Sequence, residues 1–159
     1  MVNHDSADFY ADPHVYDVLH RPGTRAEAAL YVRLMKRHLP RDYPPVLTLL
    51  EPASGTGRYL VSLAKHEHHR GIGIDLSADM NAYARAAAKR ESVDKGLRFL
   101  SAPMERFTLA QASAHAAFNP INSIRHLHTD AAMLEHLRLI ARALKAGGVY
   151  LVGLELCDP

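Results

Sequence analysis

Glu51 and Asp75, with a glycine-bearing bend between them, are the residues whose types and spacing could do chemistry together. The run Glu51-Pro52-Ala53-Ser54-Gly55-Thr56-Gly57 follows a short apolar stretch, and Gly71-Ile72-Gly73-Ile74-Asp75 is a second such stretch ending in an acid. Gly55 and Gly57 let a backbone turn sharply and lie against a ligand. A helix beginning just after them would offer unpaired N–H groups and a positive dipole end to a carboxylate. Glu51 places an acid where a ligand ammonium would fit, and would disfavour a pyrophosphate. Asp75 can accept hydrogen bonds from both hydroxyls of a ribose. Together they suit an amino-acid-bearing nucleoside.

The elements that must position these residues alternate. Val46 to Leu50 reads as a first buried strand, with a helix over Tyr59–His68. Gly71 to Asp75 is a second strand, and Ser77 caps an alanine-rich helix running to Arg90. Leu97 to Leu100 is a third strand, and Ser113 to Phe118 a fourth, poor in β-branched residues. Asp130 to Leu144 reads as an amphipathic helix with Met133, Leu134, Leu137, Ile140, Ala141 and Leu144 on its apolar face. Lys145-Ala146-Gly147-Gly148 is its cap and turn before a fifth strand, Val149 to Leu154. Upstream, Val15–Leu19 is a short helix, and Thr24–Leu39 a longer one with Thr24 and Glu27 as a capping box. Near-continuous apolar strands alternating with helices predict an α/β, doubly wound, mainly parallel sheet with helices on both faces. The predicted strand order is 3-2-1-4-5. The expected organisation is one structural domain, with residues 1–40 as a helical lid segment and 41–159 as the ligand-binding part.

Leu49-Leu50-Glu51-Pro52-Ala53-Ser54-Gly55-Thr56-Gly57-Arg58 resembles the first motif of class I, Rossmann-like S-adenosylmethionine-dependent methyltransferases. Gly71-Ile72-Gly73-Ile74-Asp75-Leu76-Ser77-Ala78-Asp79-Met80 resembles their second. The likeness continues through Asn122-Ser123-Ile124-Arg125-His126-Leu127 and Leu144-Lys145-Ala146-Gly147-Gly148. It implies S-adenosylmethionine as cofactor, with Ala53, Gly55, Thr56 and Gly57 along its methionine end and Glu51 at its amino group. It also implies Asp75 at the ribose, Leu76 and Met80 on the adenine, Pro103 and Met104 at the adenine edge, and Asn119 beside the sulfonium. Tyr10 and Tyr16 belong to a stretch that folds over the cofactor in similar proteins. His126 and Tyr16 are the candidate catalytic residues. The implied activity is N- or O-methylation of a small molecule.

The chain departs from that pattern in places. Pro103 stands where an adenine-binding acid is common, and His115 where an aspartate often opens the fourth strand. The family fold normally continues beyond the fifth strand, so a shortened product is one expectation. An uncovered fifth strand would invite pairing with another chain. A homodimer through that edge is therefore expected, and so is the alternative of a non-catalytic binding or interaction module.

Other classes fit less well. A dinucleotide fingerprint would want a glycine where Leu60 stands. Asn119-Pro120-Ile121-Asn122 lacks the second proline and the aromatic of the Asn-Pro-Pro-aromatic motif. His66 and His69 share a helix face without metal-spaced partners, and read as a solvated helix end. Arg85, Lys89, Arg90, Lys95 and Arg98 read as a solvated face. A net charge of +2 across 159 residues gives no reason to expect nucleic acid or an anionic membrane. A single cysteine, Cys157, no secretory pattern and no long apolar run make a cytoplasmic location the expectation.

Overall fold

The computed structural model describes residues 12–154, so Tyr10 and Cys157 lie outside it. Two helices come first, α1 (Pro13–His20) and α2 (Thr24–Lys36). The alternating part follows: β1 (Thr48–Pro52), α3 (Arg58–Glu67), β2 (Arg70–Asp75), α4 (Ala78–Arg90) and β3 (Leu97–Ser101). It ends with β4 (Ala114–Asn119), α5 (Asp130–Ala143) and β5 (Leu144–Val152). The strands form one sheet in the order β3-β2-β1-β4-β5, and every pairing is parallel. The predicted fold class and strand order are those observed.

The central strands of the sheet are buried on both sides, which explains their apolar sequences, while β3 and β5 at the edges are partly exposed. Along β1 the side chains alternate between two cores. Leu49 packs with α2, α3 and α4 residues such as Val32, Leu60 and Ala84, while Leu50 packs with Ile74, Phe107 and Ile140 on the α5 side. All six residues of β4 are buried, although alanine is a poor strand former. Its place between β1 and β5 buries three alanines together with the rings of His115 and Phe118, so tertiary position overrides propensity.

Four local expectations are corrected. Thr24 is not an N-cap: Gly23, at φ +82°, takes that position, and Thr24 lies inside the helix. Thr24 Oγ1 donates instead to the His20 carbonyl, and Glu27 turns toward Arg58 and Tyr59. The buried side of α5 is His136, Ile140 and Ala143, leaving Leu134 and Leu137 exposed. The helix is thus rotated from its most apolar stripe, because His136 finds two buried hydrogen bonds. Residues 145–148 belong to β5, in an irregular stretch where pairing jumps from Ala114↔Leu144 to Ala116↔Val149. His69 is buried rather than solvated, its Nδ1 accepting the Leu47 N–H at 3.2 Å. Burial lowers its pKa to about 4, so it is neutral at pH 7.

Candidate cofactor site

The β1 and β2 tips stand side by side because Glu51 pairs with Gly73 and Pro52 with Ile74. The chain leaves β1 through Ala53 at φ +54°, Gly55 at +52° and Gly57 at +69°. Ala53 holds the left-handed region without glycine's freedom, at a cost of roughly 1–2 kcal/mol. Such strain persists where the surroundings over-determine it. Here they do: Ser54 N–H donates to the Ile74 carbonyl at 3.0 Å, and Gly57 N–H to the Ser54 carbonyl at 2.9 Å.

Asp75 ties the two tips together. Its Oδ2 accepts the Gly55 N–H at 2.7 Å and its Oδ1 the Ser77 N–H at 2.9 Å. Burial raises its pKa, while these two N–H groups pull it down. Asn81, fully buried, holds the same tip from below, its Nδ2 donating to the Asp75 and Ser77 carbonyls and to Ser101 Oγ. Sequence reading missed Asn81, though an asparagine at a core position four residues after a serine cap is a usable signal. Ser77 caps α4 as expected, accepting the Met80 N–H at 3.2 Å.

The two glycines differ. A methyl group at Gly57 would lie 2.7 Å from Phe99 Cε1 and 2.9 Å from Ala84 Cβ, so its bareness serves helix-on-sheet packing. Among the described residues, a methyl group at Gly55 would meet only the Tyr16 ring, at 3.7 Å. Gly55 is therefore the bend residue with open space above it, and α1 lays Tyr16 over that space. Thr56 is buried, and its hydroxyl donates to Asp17 Oδ1 at 3.4 Å, which pins α1 to the bend.

Buried polar atoms normally have partners. At the β1 and β4 tips, Glu51 Oε2, Ser54 Oγ and Asn119 Oδ1 are buried and lack a hydrogen-bond partner among the described residues. Asn119 Nδ2 donates to the Pro52 carbonyl at 2.9 Å, which places this amide beside the end of β1. Burial pushes the Glu51 carboxyl well above the usual range; the Arg58 cation pulls it down and Asp75 pushes it further up. An ammonium would supply the charge and donors that Glu51 lacks. Ser54 was absent from the expected site residues, because a serine inside a bend gives no periodic signal.

The remaining candidates surround these tips. Leu76 is 74% exposed, projecting from the end of β2, whereas Met80 is buried in α4. Pro103 and Met104 are half-buried after β3. The Met104 carbonyl accepts from His136 Nδ1 at 2.8 Å, and His136 Nε2 accepts from the Tyr150 hydroxyl at 2.8 Å. His126 is exposed in the single turn Ser123–His126. That turn follows Ile121 and Asn122, both at positive φ, so the β4 tip is strained like the β1 tip.

The acceptor set fits an amino-acid-bearing nucleoside: a buried acid for an ammonium, an acid at the next strand tip for hydroxyls, and one open bend between. Comparison with known proteins agrees. The family model described as a methyltransferase domain matches residues 49–148. The sugar N-methyltransferase KedS8 from Streptoalloteichus sp ATCC 53650 is 27% identical with a TM-score of 0.70, over 86% of this chain and 52% of that one. Streptomyces venezuelae DesVI is 27% identical with a TM-score of 0.70, over 95% of this chain and 58% of that one. A SAM-dependent methyltransferase from Geobacter sulfurreducens, solved with S-adenosyl-L-homocysteine, has the same fold at 22% identity and a TM-score of 0.62, over 82% of this chain and 47% of that one. The chain spans about half the length of these proteins. No curated protein matches it. The matched segment covers more than half of the chain and holds both strand tips, so this chain belongs to the methyltransferase-domain family, with the class I, Rossmann-like fold that takes S-adenosylmethionine as cofactor.

Proposed function

We propose that the chain forms the cofactor-binding part of a methyltransferase that modifies nitrogen or oxygen on a small molecule. The observation that carries this reading is Glu51 Oε2, a buried acid oxygen without a partner among the described residues, beside a bend where only Tyr16 among them comes near Gly55. The KedS8 relative is a sugar N-methyltransferase, which favours a small-molecule acceptor.

When bound, the cofactor supplies an electrophilic methyl group on a sulfonium. Glu51 takes the amino group, and the ammonium keeps its carboxyl ionised despite burial. Asp75 offers its remaining lone pairs to the ribose hydroxyls while still holding Gly55 and Ser77. Ala53, Gly55 and Thr56 line the methionine end, and Gly57 keeps α3 close enough to support them. Leu76, Met80, Pro103 and Met104 enclose the adenine. Asn119, anchored on Pro52, lies beside the reacting centre. Tyr16 closes over Gly55 and excludes water. The protein's main contribution to rate is alignment of acceptor and methyl group. A base is needed only for an acceptor that arrives protonated, and His126 or Tyr16 serves there.

Calorimetric titration with S-adenosylhomocysteine tests the cofactor part. Saturable heat that falls at least tenfold in affinity in Asp75→Asn is expected, and no heat with the parent chain overturns the reading.

A second reading rests on β5, which pairs with β4 on one side only among the described residues. In that reading the free edge joins a second chain, and the module binds cofactor without turnover. Its members would run as a dimer on size exclusion. None of the described helices is long and apolar enough to cross a membrane.

A further inference from the structure

Away from the strand tips, α1, α3, α4 and the start of α2 line an open groove of about 440 Å³. That volume lies in the range of small-ligand sites. Among the described residues its walls carry Arg21, Arg25, Arg58, Lys65 and Arg90 against two acids, Asp17 and Glu91, an excess of three positive charges. The whole chain carries a net charge of only +2, so the groove is a local concentration of charge.

Pairing sharpens the picture. Asp17 is taken by Arg21, and Glu91 by Lys65. Arg58 shares Glu27, which lies outside the groove. Arg25 and Arg90 have no ion-pair partner among the described residues. The positive field is felt by the acid at that end. Glu91 titrates below its usual range, through its hydrogen bond to Lys65 first and then through the charges of Lys65, Arg90 and His66.

The groove has two ends. Arg25 stands at one, beside Arg58, whose guanidinium is already held by Thr24, Glu27 and Tyr59, and Arg90 stands at the other, beside the Lys65–Glu91 pair. Arg58 and Lys65 are seven residues apart on α3, about 10 Å at 1.5 Å per residue. Between them Val61 and Ala87 give an apolar floor, and Ser62 and Tyr83 add hydroxyls. A guanidinium pairs bidentately with a carboxylate or a phosphate, but a phosphate dianion brings twice the charge to a groove with excess positive charge.

We propose that this groove binds a small molecule carrying phosphate groups, with one anionic group at each end. The groove is separate from the cofactor site and touches it only at Thr56, through the Asp17 contact that holds α1. Occupancy therefore bears on the lid as well as on the groove.

Calorimetry of the full chain with fructose 1,6-bisphosphate and with inorganic pyrophosphate tests this, each with and without saturating S-adenosylhomocysteine. The double variant Arg25→Gln/Arg90→Gln is expected to weaken the bisphosphate at least tenfold. Arg98→Gln, on the exposed side of β3, is expected to leave it unchanged. The bisphosphate is expected to bind more tightly than pyrophosphate, which reaches only one end. Equal affinity for the two, an equal loss in Arg98→Gln, or no saturable heat overturns the proposal. Tighter binding of hexaglutamate than of either phosphate overturns it in favour of an acidic peptide. Binding of S-adenosylhomocysteine itself is read separately, in the parent and in the double variant, so failure of the groove and failure of the cofactor site are distinguishable.

Discussion

Asp75 accepts the backbone N–H of Gly55 at 2.7 Å, across the gap between the β2 and β1 tips. The acid expected to meet the ligand's ribose is therefore also the brace that shapes the bend over its methionine end. One carboxylate performs both tasks because it has two oxygens, the second held by Ser77 N–H at 2.9 Å. Substituting Asp75→Asn replaces one acceptor with an NH₂ that faces a backbone N–H. An unsatisfied buried donor costs about 1–3 kcal/mol. Denaturant melts are expected to show a loss in that range, with S-adenosylhomocysteine affinity falling at least tenfold. Unchanged stability with lost affinity would remove the bracing role.

Glu51 sets stability against binding. Its folded pKa is raised above the unfolded value by burial first, so the fold prefers the protonated acid. For an acid shifted this way, stability is greatest below the unfolded value of 4.5 and declines as pH rises from there toward the folded pKa. Glu51→Gln removes that decline. The variant is expected to gain on the parent in thermal melts as pH rises above the unfolded value of 4.5, while its affinity for S-adenosylhomocysteine falls at least tenfold. A melting difference that does not grow with pH would sink the argument.

The central strands were legible because both of their faces are buried and their apolar runs are nearly continuous, as in Leu47 to Leu50 with only Thr48 between. The two tips were legible because glycines and acids punctuate those runs. What stayed hidden was polar burial. His136 reads as an interruption in an apolar stripe, yet it turns α5 inward by bonding Met104 and Tyr150 at once. His69 reads as part of a histidine-rich helix end, yet it folds under β1 to accept Leu47 N–H. Such partners are remote in sequence, and no local period encodes them. Ser54 and Asn81 stayed hidden for the same reason.

The two glycines of the bend separate packing from binding. Gly57→Ala drives a methyl group within 3 Å of Phe99 and Ala84, at φ +69°. Overpacking of this kind costs about 1–3 kcal/mol, and the left-handed backbone adds about 1 kcal/mol or more. Gly55→Ala meets only Tyr16 at 3.7 Å, so its stability loss is limited to the backbone strain. Melts are expected to rank Gly57→Ala as the more damaging. Calorimetry is expected to show Gly55→Ala still folded but weaker for S-adenosylhomocysteine. Gly96→Ala, with nothing within 4 Å of the added methyl, is the neutral control.

His69 gives the chain an acid limit. Its folded pKa of about 4 lies below the usual 6.5, because burial disfavours the imidazolium before the nearby Lys36 and His68 charges do. The unfolded chain therefore binds a proton that the folded chain refuses, and stability rises with pH across that window. Each pKa unit corresponds to about 1.4 kcal/mol, so the window contributes at most about 3 kcal/mol. That stability is intact above pH 6.5 and is lost progressively as pH falls toward 4. His115 and His136 are shifted in the same direction, chiefly by burial, and add to the same limb. His69→Gln offers an amide oxygen to Leu47 N–H and cannot take up the proton. Its melting temperature is expected to start lower at pH 8 and to fall less steeply between pH 6.5 and 4. Parallel curves for parent and variant would show that His69 does not titrate in the fold as its burial demands.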